Sequence, residues 1–420
     1  MPSGGGLLQL VAMGKQDVFL TGNPQITFFK LVYSRHTNFS VESCRMYFDG
    51  TPNFGQRITC LVPRQADLLG PLYLHLELPA LSDLSGNPVP YVNSIGNALI
   101  EEITLEVGEQ EIDKQTGEFM ELWSQLTVPP GQKDAYDNMI RRSNIYATPP
   151  WTGAQSVIVP LNFWFCRNPG SYLPLLALQY HPIRINIKLR SLAEMAYFGT
   201  ESLVCQPNSG AALQPASIQS IMMWGDYLYL DVEERRRFVS QTHEYLIEQV
   251  QYTPRMAIPA ATTQISNKMD FNHPLKELIW TVQRDKMTNL HEYFNYSNLA
   301  ITEVSALGRT DNMLDAKLQF DGQDRFETRT APYFRLVQPY QRHTNTPVLS
   351  FIYVYSFALR PEDAQPSGTV NASRLDTINL LITMNQGTDP VIGNCHSVIY
   401  ATNYNVFRVI DGFGGLLFKV

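Results

Sequence analysis

Charged residues are scarce in this chain: they make up 17% of its 420 residues, against roughly a quarter in an ordinary globular protein. A surface so short of charge is one that something covers. Aromatics reach 11% and point the same way, because Tyr, Phe and Trp gather at buried interface centres while Lys, Glu and Asp are depleted there. Cysteine is also sparse. The five thiols (Cys44, Cys60, Cys166, Cys205 and Cys395) are scattered, odd in number and lack a C-x-x-C pair, which excludes a disulfide framework and a zinc knuckle. Reduced thiols in a cytosolic compartment are the simpler reading. No apolar run approaches the ~18 residues of a membrane span. The stretch Leu7 to Met13 is broken by Gln9, is followed by Gly14-Lys15 and has no basic segment before it, so no signal peptide is expected. Lys+Arg 32 against Asp+Glu 39 gives a net charge of −7, and no basic block is long enough to track phosphates. Direct nucleic-acid binding is therefore not expected.

The catalytic motifs are missing too. The chain has no Gly-rich phosphate loop, no H-E-x-x-H and no G-x-S-x-G. "HEYLI" from His243 and "HEYFN" from His291 begin like a zincin helix but lack the second histidine. None of the eight histidines lies two residues from another, as a metal-dependent jelly-roll enzyme of the cupin type requires. His75 and Glu77 could supply half of a two-His-one-carboxylate iron site, yet they fit the solvated face of an amphipathic strand better. Cys395-His396 could be a thiolate and its base, but neighbours on a strand point to opposite faces; a packed thiol beside an exposed ring is the expectation. No cofactor, no metal and no catalysis are expected.

What the chain has is period-two alternation. In "PLYLHLELP", Leu72, Leu74, Leu76 and Leu78 face one way and Tyr73, His75 and Glu77 the other, the mark of a half-buried strand. "HPIRINIKLR" sets Ile183, Ile185, Ile187 and Leu189 against Arg184, Asn186, Lys188 and Arg190. Further strands are predicted in "EEITLEV", "VPLNFWF", "DYLYLDV", "HEYLIEQVQYT", "LKELIWTV" and "VLSFIYVYSFAL", with turn clusters such as Ser85-Gly86-Asn87-Pro88 between them. Helices are few: Gly117 to Leu126, and Val232 to Ser240 around "EERRR". The latter reads as a charged bridge pairing with nearby acids, with an anionic docking patch as the rival.

The sequence also repeats itself weakly. "LEVGEQEI" (Leu105 to Ile112) resembles "LQFDGQDRF" (Leu318 to Phe326), with Gly108 and Gly322 at 322 − 108 = 214 positions. "GPLYLHLEL" resembles "HPLKELIWTV", with Pro71 and Pro274 at 274 − 71 = 203. One all-β unit of roughly 200 residues, used twice, suits an eight-stranded sandwich with long loops. The expected organisation is an N-terminal arm over 1–25, a first sandwich over 26–230, a linker helix over 231–240 and a second sandwich over 241–420. Within the arm, Leu7, Leu8, Val11 and Ala12 share one face of a short helix that Thr21-Gly22-Asn23-Pro24 stops, and Phe19 adds an aromatic anchor. Such an arm can leave its own subunit and pack beneath a neighbour, making Leu7, Leu8, Val11 and Phe19 candidate assembly residues.

Six long segments, in order along nearly the whole chain, resemble the major capsid proteins of nucleocytoplasmic large DNA viruses, in the algal-virus and giant-virus branch. They are "GKQDVFLTGNPQITFFKLVYSRHTNF" (Gly14 to Phe39), "YLYLDVEERRRF" (Tyr227 to Phe238), "FNHPLKELIWTVQ" (Phe271 to Gln283), "APYFRLVQPYQRHT" (Ala331 to Thr344), "YVYSFALRPEDAQPSGTVNASRLD" (Tyr353 to Asp376) and "NYNVFRVIDGFGGLLF" (Asn403 to Phe418). The resemblance implies an all-β double jelly roll, two tandem eight-stranded antiparallel sandwiches with few short helices. It implies a homotrimer forming a pseudo-hexagonal capsomer, neighbouring capsomers in an icosahedral shell, and minor capsid proteins beneath it. It further implies an internal membrane nearby that the chain does not span, and assembly into virions in the host cytoplasm. The loop Glu194 to Ser217 departs most from the family pattern, and loops of this kind build the outer tower there.

Three N-x-S/T sequons, at Asn38, Asn295 and Asn371, are candidate glycosylation sites, although a chain outside the secretory pathway meets no ordinary sequon-directed machinery. The rivals to a major shell protein are a minor double-jelly-roll paralogue or membrane scaffold, and a jelly-roll protein that binds glycans.

Overall fold

The computed structural model describes residues 4–197, 213–303, 308–385 and 393–419; Cys205 and most of the loop Glu194 to Ser217 lie outside them. Sixteen principal strands form four antiparallel sheets. In the first half they are β1 Phe39–Met46, β2 Arg57–Leu61, β3 Leu68–Leu78, β4 Ile100–Val107, β5 Gln110–Thr116, β6 Gln155–Pro160, β7 Ile183–Leu189 and β8 Ser220–Leu230. In the second they are β9 His243–Tyr252, β10 Gln264–Met269, β11 Pro274–Arg284, β12 Met313–Phe320, β13 Gln323–Asp324, β14 Tyr353–Ser356, β15 Ile378–Met384 and β16 Cys395–Ile410.

Their order shows the repeat directly. The first pair of sheets runs β1-β8-β3-β6 and β2-β7-β4-β5; the second pair runs β9-β16-β11-β14 and β10-β15-β12-β13. Adding eight to each strand number converts one half into the other. Each half is a jelly roll, its two sheets closing on a core of inward-facing residues. Leu72, Leu74, Leu76 and Leu78 of β3 and Ile183, Ile185 and Ile187 of β7 meet in the first core, while Leu278, Trp280 and Val282 of β11 meet Leu380 and Ile382 of β15 in the second. The hairpins that first suggested a repeat occupy equivalent places, β4 to β5 and β12 to β13. Gly108 (φ 67°) and Gly322 (φ 80°) turn them, in a left-handed conformation that glycine adopts without a Cβ penalty.

Because consecutive strands run antiparallel, the connections alternate between two ends. Loops 47–56, 79–99 and 117–154 and the described parts of the last connection, 190–197 and 213–219, share one end, where the Ile218 amide donates to Asn53 Oδ1 (3.2 Å) and the Ser143 amide to Asn93 Oδ1 (2.7 Å). Connections 62–67, 108–109 and 161–182 share the other, where Arg64 Nη2 donates to the His181 carbonyl (3.0 Å) and the Gly108 amide to the Pro182 carbonyl (2.8 Å). Most of the added chain is thus concentrated at one end. The second half repeats this, with 285–303, 308–312 and 325–352 opposite 270–273 and 321–322.

Residues before Phe39 form a separate unit, containing α1 Gly5–Val11 and α2 Asp17–Thr21, neither with a buried residue. The expectation that Ile26 opens the first sandwich is corrected: the first strand starts at Phe39, and 26–38 carries no strand. Apolar spacing makes a strand only where a neighbouring edge takes up its N–H and C=O groups. "VPLNFWF" is corrected likewise, since β6 ends at Pro160 and Trp164–Arg167 is a helical turn. Pro160, lacking an N–H, stands at the strand's end. Two helices connect the halves, α3 Gly117–Thr127 by packing across them and α4 Val232–Ser240 along the chain.

Gly117 opens α3 where a Cβ would stand 2.0 Å from the Asn97 carbonyl oxygen and 2.2 Å from that of Ile100. Gly117→Ala should therefore lower unfolding free energy by about 1–3 kcal/mol, the usual effect of overpacking against atoms that cannot move aside, measured by urea denaturation.

Candidate assembly interface

The junction between the two rolls is built from α3. Thr116 begins the helix by accepting the Phe119 amide on Oγ1 (3.1 Å). Met120 on one side enters the first roll's core. Phe119, Leu122, Trp123 and Leu126 form the other side and pack on the second roll, against Val250, Ile279, Val354, Val398 and Tyr400. Phe119 and Tyr400 lie 5.6 Å apart between ring centroids. Much of the outer face of the β9-β16-β11-β14 sheet is thereby covered, and β11 is buried on both faces from Leu275 to Arg284.

Burial on both faces forces the polar side chains there into pairs, because an unpaired buried charge costs several kcal/mol. Lys276, only 1% exposed, places Nζ 2.7 Å from Glu248 Oε1 and lies over the rings of Trp123 and Tyr404. Arg167 of the first roll binds the same Glu248 at 2.7 Å. Glu118 Oε1 accepts from Thr281 (3.3 Å) and Tyr296 (3.2 Å) of the second roll. Asp113 of β5 accepts the Val250 amide of β9 at 3.0 Å and Gln115 Nε2 at 2.7 Å. Burial pushes its carboxyl up to about 6 even so. Beyond α3, the Asn345 amide donates to the Leu126 carbonyl (2.9 Å), capping the helix from the other roll. Two residues earlier His343 is held between Glu277 (3.1 Å) and Glu362 (3.0 Å). Burial works against its charge, but the two carboxylates prevail and push it up to about 9.

The residues singled out from sequence fall in several places. Leu7, Leu8 and Val11 lie on α1 and Phe19 on α2, all exposed. Asn38 and Asn371 are exposed, and Asn371 Oδ1 caps the Ser373 amide at 3.1 Å. Asn295 is not open to modification on the folded chain. It is 0% exposed, and its Nδ2 donates to Glu292 Oε2 (2.7 Å) and the Leu299 carbonyl (2.9 Å). His75 and Glu77 pair with each other at 3.0 Å on a partly exposed strand face. The expectation of an exposed ring beside Cys395 is corrected: His396 is 7% exposed and binds Asp285 at 2.8 Å, because β16 is covered on both faces from Cys395 to Asn405. In "EERRR", Arg235 bridges from α4 to the buried Asp67 at 2.9 Å. Sequence reasoning missed the coupling role of Phe119, Trp123 and Lys276. The available signal was "LKELIWTV", where the consecutive apolar residues Leu278, Ile279 and Trp280 break the alternation, as in a strand enclosed on both faces.

Two jelly rolls locked together by the α3 junction define a double-jelly-roll protein. Comparison with known proteins gives the family. Residues 27–231 match the model for the major capsid protein N-terminus, and residues 234–415 match that of the large eukaryotic DNA virus major capsid protein. The major capsid protein of Pyramimonas orientalis virus is 41% identical over 442 residues, covering 99% of this chain and 100% of its own. That of Paramecium bursaria Chlorella virus 1 is 37% identical, with 99% of each chain covered. The quasi-atomic structure of the PBCV-1 virus capsid aligns with a TM-score of 0.78 at 32% identity, over 94% of this chain and 100% of the other. The Faustovirus major capsid protein, at 14% identity and TM-score 0.75 over 95% and 94%, shares the fold. The chain belongs to the large eukaryotic DNA virus major capsid proteins, and so to the structural proteins of the virion.

Trp123→Ala should destabilise the protein by about 3–5 kcal/mol, the usual loss for a large buried aromatic, as followed by denaturant unfolding. The pH dependence has a definite sign. His343 has its folded pKa raised from 6.5 to about 9, so its stabilisation is complete below about pH 6.5 and is lost as pH rises through 9. Melting temperature should fall across that interval in the native chain. His343→Gln, destabilised at neutral pH, should lack that alkaline limb.

Proposed function

We propose that this chain is the principal paving unit of an icosahedral shell, acting as a homotrimer whose six jelly rolls imitate a hexagon. The observation that carries the reading is the matched topology of the two rolls, together with the α3 junction that holds them in one arrangement. A trimer of such chains presents six similar sides, so one gene product can cover a facet through repeated lateral contacts. Each contact can be weak, since many act together across the lattice. The low charge content suits seams from which water is expelled.

In this reading the long-loop end faces outward, and the short-connection end faces inward toward minor capsid proteins and the internal membrane. The exposed apolar residues of α1 and α2 belong to an arm that orders on assembly beneath a neighbour. The work is geometric and needs no cofactor or catalysis. Synthesis and assembly take place in the host cytoplasm.

Analytical ultracentrifugation of the purified protein should give about three times the chain mass of 47.6 kDa, with a hexagonal outline in electron micrographs. A particle of one or two chain masses would sink the paving reading. Removing residues 1–22 should leave that trimer intact while preventing shells; normal shells, or loss of the trimer, would remove the role given to the arm.

A further inference from the structure

β9 lines one edge of β16 from Tyr400 to Val409, so β11 and the C-terminal strand Phe413–Leu416 share the other edge. They do not meet. β11 begins its pairing with Leu275 opposite Asn403, and the Leu417 amide donates to the Val406 carbonyl (2.9 Å). Between these points Tyr404 and Asn405 have no ladder partner on that side. A cavity of about 590 Å³ occupies this break, at the short-connection end of the second roll. Small-molecule sites have that size.

The lining combines two chemistries. Leu246, Val406 and Phe418 are apolar, and Leu246 (46%) and Phe418 (54%) remain exposed. Arg374, Lys419 and His273 are basic, and no Asp or Glu among the described residues lines the cavity with them. Arg374 is carried there by a fixed turn: the His273 amide donates to Ser373 Oγ (2.8 Å) and the Ala372 amide to the His273 carbonyl (3.0 Å). Neither Arg374 nor Lys419 forms an ion pair with a carboxylate among the described residues. Burial pushes the His273 ring below its ordinary value, so near neutral pH it is uncharged and offers one N–H.

We propose that this cavity binds an amphipathic anion, a phosphate or carboxylate carried on an acyl chain, with its head on Arg374 and Lys419 and its chain against Leu246, Val406 and Phe418. A guanidinium and an ammonium without an acid between them favour a negative head. A small polar anion would leave the apolar side chains wet, and a cationic amphiphile would meet like charge. An extended peptide is disfavoured because two unpaired residues are too short an edge for strand addition. Every lining residue belongs to the same chain, so a protein that failed to trimerise would still bind.

The test titrates the full chain with decyl phosphate, below its micelle concentration, by isothermal titration calorimetry. Saturable binding is expected, with inorganic phosphate and decyltrimethylammonium each weaker by roughly tenfold or more. Arg374→Glu and Leu246→Asp, both exposed changes that should preserve the circular dichroism of the fold, are each expected to weaken decyl phosphate by roughly tenfold or more, the scale of one charge-assisted hydrogen bond. Flotation with phosphatidylglycerol vesicles separates the sources. Flotation that Arg374→Glu abolishes assigns a bilayer headgroup, whereas decyl phosphate binding without flotation assigns a free amphiphile. Absence of binding, or equal binding by the native chain and both variants, would overturn the site. Binding that appears only after residues 1–22 are removed would also overturn it, since the arm would then be the occupant.

Discussion

The β9-β16-β11-β14 sheet is enclosed over much of its outer side by the helix Gly117–Thr127 of the other roll, with only the start of β9, at Glu244 and Leu246, left exposed. An antiparallel sandwich ordinarily keeps its outer faces wet and polar. Enclosing one of them changes the chemistry of every residue on it. Apolar side chains at Ile279, Val354 and Tyr400 become useful, and the charges that remain at Lys276, Glu277 and His343 have to find partners at short range. The two rolls consequently behave as one compact unit from Phe39 onward, without the loosely linked arrangement that a nine-residue connection such as α4 would otherwise permit.

That rigidity is what a paving role requires. If two rolls could rotate against each other, a ring of three chains would present six sides at variable angles, and lateral contacts could not form together. Phe119, Trp123 and Tyr400 form an aromatic layer in that contact, and large rings bury much area per residue. The paired ions around Glu248 add direction. Buried pairs contribute little net stability once desolvation is counted, but they penalise misaligned arrangements in which one partner is left alone. Apolar packing thus holds the rolls together, and the ion pairs select their orientation.

Much of the fold was legible. Alternation in "PLYLHLELP" and "HPIRINIKLR" gave β3 and β7 with the correct faces inward, since a strand with one buried side must repeat every two residues. Both connecting helices were placed from their patterns, and the Gly108 and Gly322 hairpins took equivalent places in the two rolls. Legibility ended where burial on both faces or a missing neighbour altered the rule. Ile26 to Asn38 carries the residues of a strand but forms none. His396 looked solvent-facing from its position next to Cys395, and only the cover over both sides of β16 buries it. Asn295 looks like any other sequon until its amide is found bound inside the loop 285–312.

The residues alone determined that the chain is β-rich, that its strands carry one apolar side, that its turns fall where glycine and proline stand, and that one pattern occurs twice. These properties depend on neighbours a few positions apart, so local spacing encodes them. Which surface covers which was decided only by the folded chain. Trp123 and Lys276 are separated by more than a hundred positions, and a helix face has no mark in its own period that says whether it will lie on its own roll, on the next roll or on another molecule. That choice follows from the shapes and volumes the finished sheets offer, and those exist only after the strands have paired.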